Sequence, residues 1–272
     1  MKIKQVLSAL EQFAPLPLQE SWDNAGLQVG LTETEVSGAL LCLDVNEDIV
    51  DEAMRKSCNL IVSHHPLLFR GLKQVSGGND VQRCVIKAIK NDIAVVSMHT
   101  NMDNAKHGVN WKIAERLGLD DVRFFAAKTM QMPAPAEGGQ GDVVEYGSGV
   151  VGVLPQPMAA TDFIQLVKKQ FGVACAQCNE LLQRPVSKVA ICGGAGDFLL
   201  DDAVREGADA FITGEMHYHV FFDHEQKIQI CVIGHYQSEQ YTTEVFRDII
   251  ARECPGVRTE IAETITNPIC YY

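Results

Sequence analysis

No run of apolar residues in this chain approaches the ~20 needed to cross a bilayer, so no membrane-spanning helix is expected. Positive charge is also short. Lys and Arg number 23 against 35 Asp and Glu, a formal net charge of −12. Phosphate-backbone affinity is built from clustered Lys and Arg, so this balance argues against general nucleic-acid binding and makes a cation the more natural partner. No second C-x-x-C completes Cys175-Ala176-Gln177-Cys178 as a structural zinc site, and no redox context surrounds it. The 9 cysteines are odd in number and several lie in apolar segments (Cys42, Cys84, Cys192, Cys231), which predicts small buried hydrophobes in a reducing compartment and no disulfides. The amino end lacks a secretory h-region. Ser8, Glu11 and Gln12 interrupt it, and Ile3, Val6, Leu7, Leu10 and Phe13 fall on one helix face, so the expected address is the cytoplasm.

What is present is a soluble globular composition, 46% hydrophobic and 21% charged over 272 residues. From Gly38 the pattern alternates: strand 39–43, helix 46–56, strand 60–63, helix 81–90, strand 93–98, helix 107–117. After the Gly- and Pro-rich stretch from Met132 to Gly149 it resumes: strand 150–154, helix 160–170, strand 188–192, helix 198–206, strand 210–213, a short helix near 217–224, strand 228–233 and helix 239–251. Such alternation predicts an α/β fold of two similar units with mostly parallel sheets flanked by helices. The domains expected are 1–130 and 131–272, the C-terminal helix being free to pack back on the first, with a metal site in the crevice between them.

The halves resemble one another. Val36-Ser37-Gly38-Ala39-Leu40-Leu41-Cys42 lies over Val186-Ser187-Lys188-Val189-Ala190-Ile191-Cys192 at an offset of 150, which sets Leu60–Ser63 on Ala210–Thr213. A second offset of 136 sets His99 on His235. Each of these histidines is followed four residues later by a carboxylate, Asp103 and Glu239, and in a helical turn such positions share a face. All these residues collect at the C-terminal ends of strands, where open α/β sheets bind ligands.

His64 and His65 follow the strand Leu60-Ile61-Val62-Ser63 and precede Pro66. Successive strand residues point to opposite faces, so either one histidine is core and the other solvent-facing, or the proline ends the ladder and both imidazoles turn to one crevice. His64, His65, Asp103, His235 and Glu239 form a nitrogen and carboxylate set of the kind that holds Zn, Fe, Mn or Mg. Five ligands suit two ions sharing a carboxylate, and a pair of ions activates water, which predicts hydrolysis. Weaker candidates surround them. His99 would orient or back up Asp103; Glu215 and Thr213 end the matching strand; His217 and His219 follow it. Arg70 and Lys73 are the nearest positive charges and would clamp a phosphate, unless they are solvated surface residues. Gly193-Gly194-Ala195-Gly196 reads as a backbone anion nest or as a tight strand-to-helix turn; it has neither the Lys of a P-loop nor a dinucleotide fingerprint.

These residues resemble the GTP cyclohydrolase I type 2, or NIF-three-like, family. The resemblance rests on Trp22-Asp23-Asn24-Ala25-Gly26-Leu27-Gln28-Val29-Gly30, Ser63-His64-His65-Pro66-Leu67, His99-Thr100-Asn101-Met102-Asp103 with Gly108-Val109-Asn110, Gly193-Gly194-Ala195-Gly196, Ala208-Asp209-Ala210-Phe211-Ile212-Thr213-Gly214-Glu215, and Gly234-His235 through Glu239. It implies a toroidal homohexamer and a centre of two divalent ions per subunit held by His64, His65, Asp103, His235 and a bridging Glu239. Glu239, His99 and Glu215 would then be the catalytic candidates and Arg70, Lys73 and His219 the substrate-binding ones. The activity implied is opening of the guanine imidazole ring of GTP with loss of formate. A non-catalytic metal-binding or scaffold ring and a metal-dependent phosphoesterase are the alternatives. Trp111 departs from the small polar or acidic residue expected after Gly-Val-Asn. The stretch from Met132 to Gly149 is too short for the domain that some relatives insert mid-chain.

Overall fold

The computed structural model describes residues 1–132 and 141–270. The chain begins with α1 (Ile3–Phe13), β1 (Gly26–Val29), β2 (Ala39–Cys42), α2 (Glu47–Arg55), β3 (Leu60–Ser63), α3 (Asp80–Lys90), β4 (Ala94–Ser97) and α4 (Thr100–Asn104). Next come α5 (Val109–Leu117), β5 (Asp120–Phe124), β6 (Lys128–Gln131), β7 (Val143–Tyr146), β8 (Val150–Met158), α6 (Ala160–Phe171), β9 (Gln177–Cys178) and β10 (Val186–Ala195). The remainder is α7 (Leu200–Arg205), β11 (Ala210–Glu215), β12 (Gln229–Val232), α8 (His235–Glu239), α9 (Thr242–Glu253) and β13 (Thr259–Ile261). Two compact units result: Met1–Met102 with Thr242–Tyr272, and Asp103–Tyr241.

In the first unit β13, β2, β3 and β4 run parallel, and β1 closes the edge antiparallel to β4. Every residue of β2, β3 and β4 is buried, as expected of parallel strands covered on both faces. Their helices carry local start signals. The Asn46 side chain accepts from the Ile49 amide at 2.9 Å and the Asn79 side chain from the Gln82 amide at 2.9 Å. Arg55 and Lys87 with Lys90 sit in the last turns of α2 and α3, where cations favour the helix dipole. α9 lies against α1, burying Val245, Phe246, Ile249 and Ile250 on its side and Ile3, Val6 and Leu10 on the other.

The second unit's sheet has the order β5-β8-β10-β11-β12-β9. Only β10, β11 and β12 are parallel there; β5, β8 and β9 pair antiparallel, so this sheet is more mixed than the alternation predicts. β6 and β7 form a separate antiparallel ribbon, Lys128 opposite Tyr146. The ribbon and β5 fall within the second unit, Asp103–Tyr241. The expected linker from Met132 to Gly149 is in part the return strand of this ribbon, and its residues 133–140 lie outside the described residues.

The internal duplication appears in the strand register. Ala39 pairs with Leu60 and Val189 with Ala210, an offset of 150 on both members. On the third strand the register offset is 135, because Leu60 pairs with Ala94 and Ala210 with Gln229. The offset of 136 between His99 and His235 therefore contains one additional residue. Gly234, at φ +96°, occupies that position and turns the chain into α8.

Candidate metal centre

The first unit gathers three imidazoles. The amide of His64 donates to the carbonyls of Cys42 and Leu43 at 3.2 and 3.1 Å, and that of His65 to Leu43 at 2.9 Å, so the backbone bonding to the β2 side continues past β3. The two rings nevertheless lie 4.9 Å apart between centroids, and each lies 5.3 Å from the ring of His99, which follows β4. One ligand-capable nitrogen from each of His64, His65 and His99 falls within 4.8 Å of the others. Both neighbouring histidines thus bring a nitrogen to one cluster.

Each ring is set by a partner on Nδ1. His64 Nδ1 meets the Met98 carbonyl at 2.9 Å, His65 Nδ1 meets Asp44 Oδ1 at 2.7 Å, and His99 Nδ1 meets Asp23 Oδ1 at 2.7 Å. With Nδ1 so engaged, a cation would be bound through Nε2, the arrangement in which carboxylates orient metal-binding imidazoles. The carboxylates are themselves anchored. Asp44 Oδ2 accepts from Thr266 Oγ1 at 2.6 Å, and Asp23 Oδ2 accepts from the Thr100 amide at 3.0 Å and from its hydroxyl. Burial pushes the Asp23 carboxyl up, but the hydrogen bonds from His99 and Thr100 outweigh it and hold it down to about 2. Asp44 is held low in the same way, burial being outweighed by His65 and Thr266.

The second unit supplies carboxylates. α8 is a single turn, and its i, i+4 ends meet as the spacing predicts: His235 Nε2 lies 3.1 Å from Glu239 Oε2. His235 Nδ1 lies 3.1 Å from Glu215 Oε1 at the end of β11. Glu239 is 4% exposed, and a carboxylate oxygen of Asp103, in α4, lies within 4.8 Å of one of Glu239. Burial drives the nearby Cys192 thiol well above its usual range, and the charges of Asp103 and Glu239 add to the effect. His235 beside Glu239, and Glu239 beside Asp103, offer donors that suit a hard or borderline divalent ion, as the three histidines suit a borderline one.

The Gly193–Gly196 segment is not an anion nest. Its amides are spent inside the protein: Gly193 donates to Asn110 Oδ1 at 2.8 Å, Gly194 to Ser238 Oγ at 3.0 Å and Gly196 to Thr213 Oγ1 at 3.0 Å. Its role is close approach. Gly194 has φ +62°, and a Cβ there would collide with Glu239 Oε1. Thr213 also ties Glu215 down, its hydroxyl lying 3.4 Å from the Glu215 carbonyl, as the Ser63 hydroxyl lies 2.9 Å from the carbonyl of His65. The two positions are related by the offset of 150.

Other expectations fare differently. His99 is bonded to Asp23 and grouped with His64 and His65, where a role beside Asp103 was expected. Arg70 and Lys73 are exposed on the loop after β3, and none of the described contacts brings them to the imidazoles. His219 is exposed on a single 3₁₀ turn, stacked on Phe222 at 6.1 Å, and His217 pairs with Asp197 at 2.5 Å. Trp111 packs edge-on against Phe124 at 4.4 Å, a packing residue. Cys178 stands opposite Cys231 across β9 and β12, and Cys175 is exposed. Asp23 and Asp44 were not among the candidates. Asp23 lies inside the Trp22–Gly30 motif, which was the available signal; Asp44 directly follows the β2 region and had none.

No helix among the described residues is long and apolar enough to cross a membrane. The profile of the Duf34/NIF3 (NGG1p interacting factor 3) family matches residues 1–268. A Clostridium perfringens protein named GTP cyclohydrolase 1 type 2 homolog is 36% identical over 240 residues, 88% of this chain and 87% of its own length. A Campylobacter jejuni protein of the same name is 27% identical over 274 residues and covers 100% of both chains. The crystal structure of a Bacillus cereus protein related to NIF3 superposes with a TM-score of 0.85 at 26% identity, covering 100% of this chain and 99% of that one. The match takes in every element from β3 to α8, and on that ground the chain belongs to the Duf34/NIF3 family.

Proposed function

We propose that the chain holds two divalent ions through His64, His65, Asp103, His235 and a bridging Glu239, with His99 as a further imidazole. We assign it as a metal-dependent hydrolase of a nucleotide or related heterocycle. The observation that carries the metal reading is that three imidazoles, each engaged at Nδ1 by a carbonyl or a carboxylate, bring ligand-capable nitrogens within 4.8 Å of one another. Bound ions would supply Lewis-acid polarisation and an acidified water. The chain's own groups then do the rest. Asp23 and Asp44 keep His99 and His65 in the Nδ1-engaged orientation, Glu215 does the same for His235, and buried Glu239 brings negative charge that a second ion requires. GTP is the substrate the relatives' name suggests, with ring opening and formate release as the reaction. A ring of six chains belongs to the same proposal; exposed Phe198, Tyr218 and Phe222 on the second unit are apolar surface of the kind assembly covers.

Elemental analysis should return two ions per chain, and formate should be released from GTP at a rate abolished by His64→Ala and by Glu239→Ala in protein that still folds. Two ions without formate release would favour the non-catalytic metal-binding reading, and phosphate release from a panel of phosphate esters would favour the phosphoesterase. Light scattering at six times the 29.9 kDa chain mass tests the ring.

A further inference from the structure

Beside the three imidazoles, the first unit displays two large aromatic side chains in water. Trp22 is 59% exposed and Phe69 is 47% exposed. Their rings lie 5.9 Å apart and tilted by 57°, so neither lies flat on the other. Both stand edge-to-face with the metal-site imidazole of His99, at 6.0 Å from Trp22 and 6.3 Å from Phe69.

Their exposure is not that of a slack loop. Next to Trp22, Asp23 is bonded to His99 and to the Thr100 amide at 2.7 and 3.0 Å. Then Asn24 donates to the Leu68 carbonyl at 2.7 Å, and the Leu68 amide donates to Gln28 Oε1 at 3.1 Å. The residues next to Trp22 and Phe69 are therefore stitched to each other and to the metal-site histidine, while Trp22 and Phe69 stay about half exposed. Holding apolar faces rigid and uncovered costs free energy, which a ligand recovers by covering them. Flat heteroaromatic rings are the natural occupant, because every such ring has a π-face to lay on an aromatic side chain. Arg70 and Lys73 follow on the same loop and supply positive charge in an otherwise acidic chain, which suits an anionic tail on that ring.

We infer that Trp22 and Phe69 form a stacking platform for the planar heteroaromatic ring of the ligand, placing it beside His99 of the metal centre. The inference rests on the hydrolase reading for what lies next to the platform, and it assigns the ring-binding residues that reading leaves open. The chain has 2 tryptophans, so a Trp111→Phe variant reports Trp22 fluorescence alone. With protein as purified and its metal content measured, guanosine and GTP should quench that fluorescence saturably, and inorganic triphosphate should not. By equilibrium dialysis, Trp22→Ala and Phe69→Ala should each weaken guanosine binding about tenfold, within the range for loss of one stacking partner. Trp22→Phe should keep affinity within about threefold by preserving a π-face, and metal content should be unchanged in all variants. Quenching by triphosphate equal to that by guanosine, affinity unmoved by both alanine variants, or quenching that follows protein concentration without ligand, as a second copy covering the rings would give, overturns the platform. Guanosine binding that depends on Trp22 in protein that releases no formate would overturn the hydrolase reading and leave the platform standing.

Discussion

Asp44 shows how the site is built at the scale of a residue. One of its oxygens bonds His65 Nδ1 and the other accepts from Thr266, so the imidazole is held from the side away from its Nε2. Asp44→Ala should weaken zinc binding about 10- to 100-fold, the usual cost of removing such a partner, measured by competition with a chromogenic chelator; unchanged affinity would mean that His65 is not oriented from this side. Gly194→Ala should act from the other set of ligands. Its Cβ must displace Glu239 and is strained at φ +62°, so the variant should lose bound metal and stability together; retention of full metal content at unchanged stability would refute the close-approach role of that glycine. The clustered imidazoles and carboxylates were legible in the sequence because such groups at strand exits are chemically conspicuous. Their supports were not. Asp23 is 76 residues from His99 and Asp44 is 21 residues from His65, and only the sheet brings either pair together.

At the scale of elements, the strands read well wherever both faces are buried and the helices wherever an asparagine cap precedes them, since those signals are local. β6, mostly exposed, and the two-residue β9 have little apolar pattern to read, and β13 joins β2 from 220 residues further along the chain. One side chain of α2 bonds the backbone of the segment after β13. Glu52, 2% exposed, accepts from the amides of Glu263 at 2.8 Å and Thr264 at 3.0 Å, and pairs with Lys56 at 2.9 Å. Burial pushes its carboxyl up, but those backbone donors and Lys56 outweigh it and hold it down to about 2. A folded-state pKa below the unfolded one stabilises the fold fully above the unfolded value, and the contribution fades as pH falls from about 4.5 toward 2. Glu52→Gln should therefore lower stability by about 2 kcal/mol at pH 7 and by much less at pH 2.5. Urea unfolding at the two pH values checks it, and an equal loss at both would show that the charge is not what matters.

At the scale of the whole molecule, each unit has its own core. Phe246 of α9 is wholly buried in the first, and Phe211 is wholly buried in the core that β10, β11 and β12 share in the second. Removing either side chain should cost its own unit about 3–5 kcal/mol. If the proposed ions are held by His64, His65, Asp103, His235 and Glu239 together, metal binding must add to the stability of every segment that supplies a ligand. A ligand present at 100 times its dissociation constant adds about 2.7 kcal/mol to whatever must be folded to bind it. In chelator, Phe246→Ala and Phe211→Ala should lower different parts of the unfolding curve. With saturating zinc or manganese, each should lower the same single transition, because losing either half of the ligand set releases the ions. Calorimetry of the two variants with and without metal decides it, and metal that raises one unit's transition while leaving the other's where it was would confine the ions to one set of ligands.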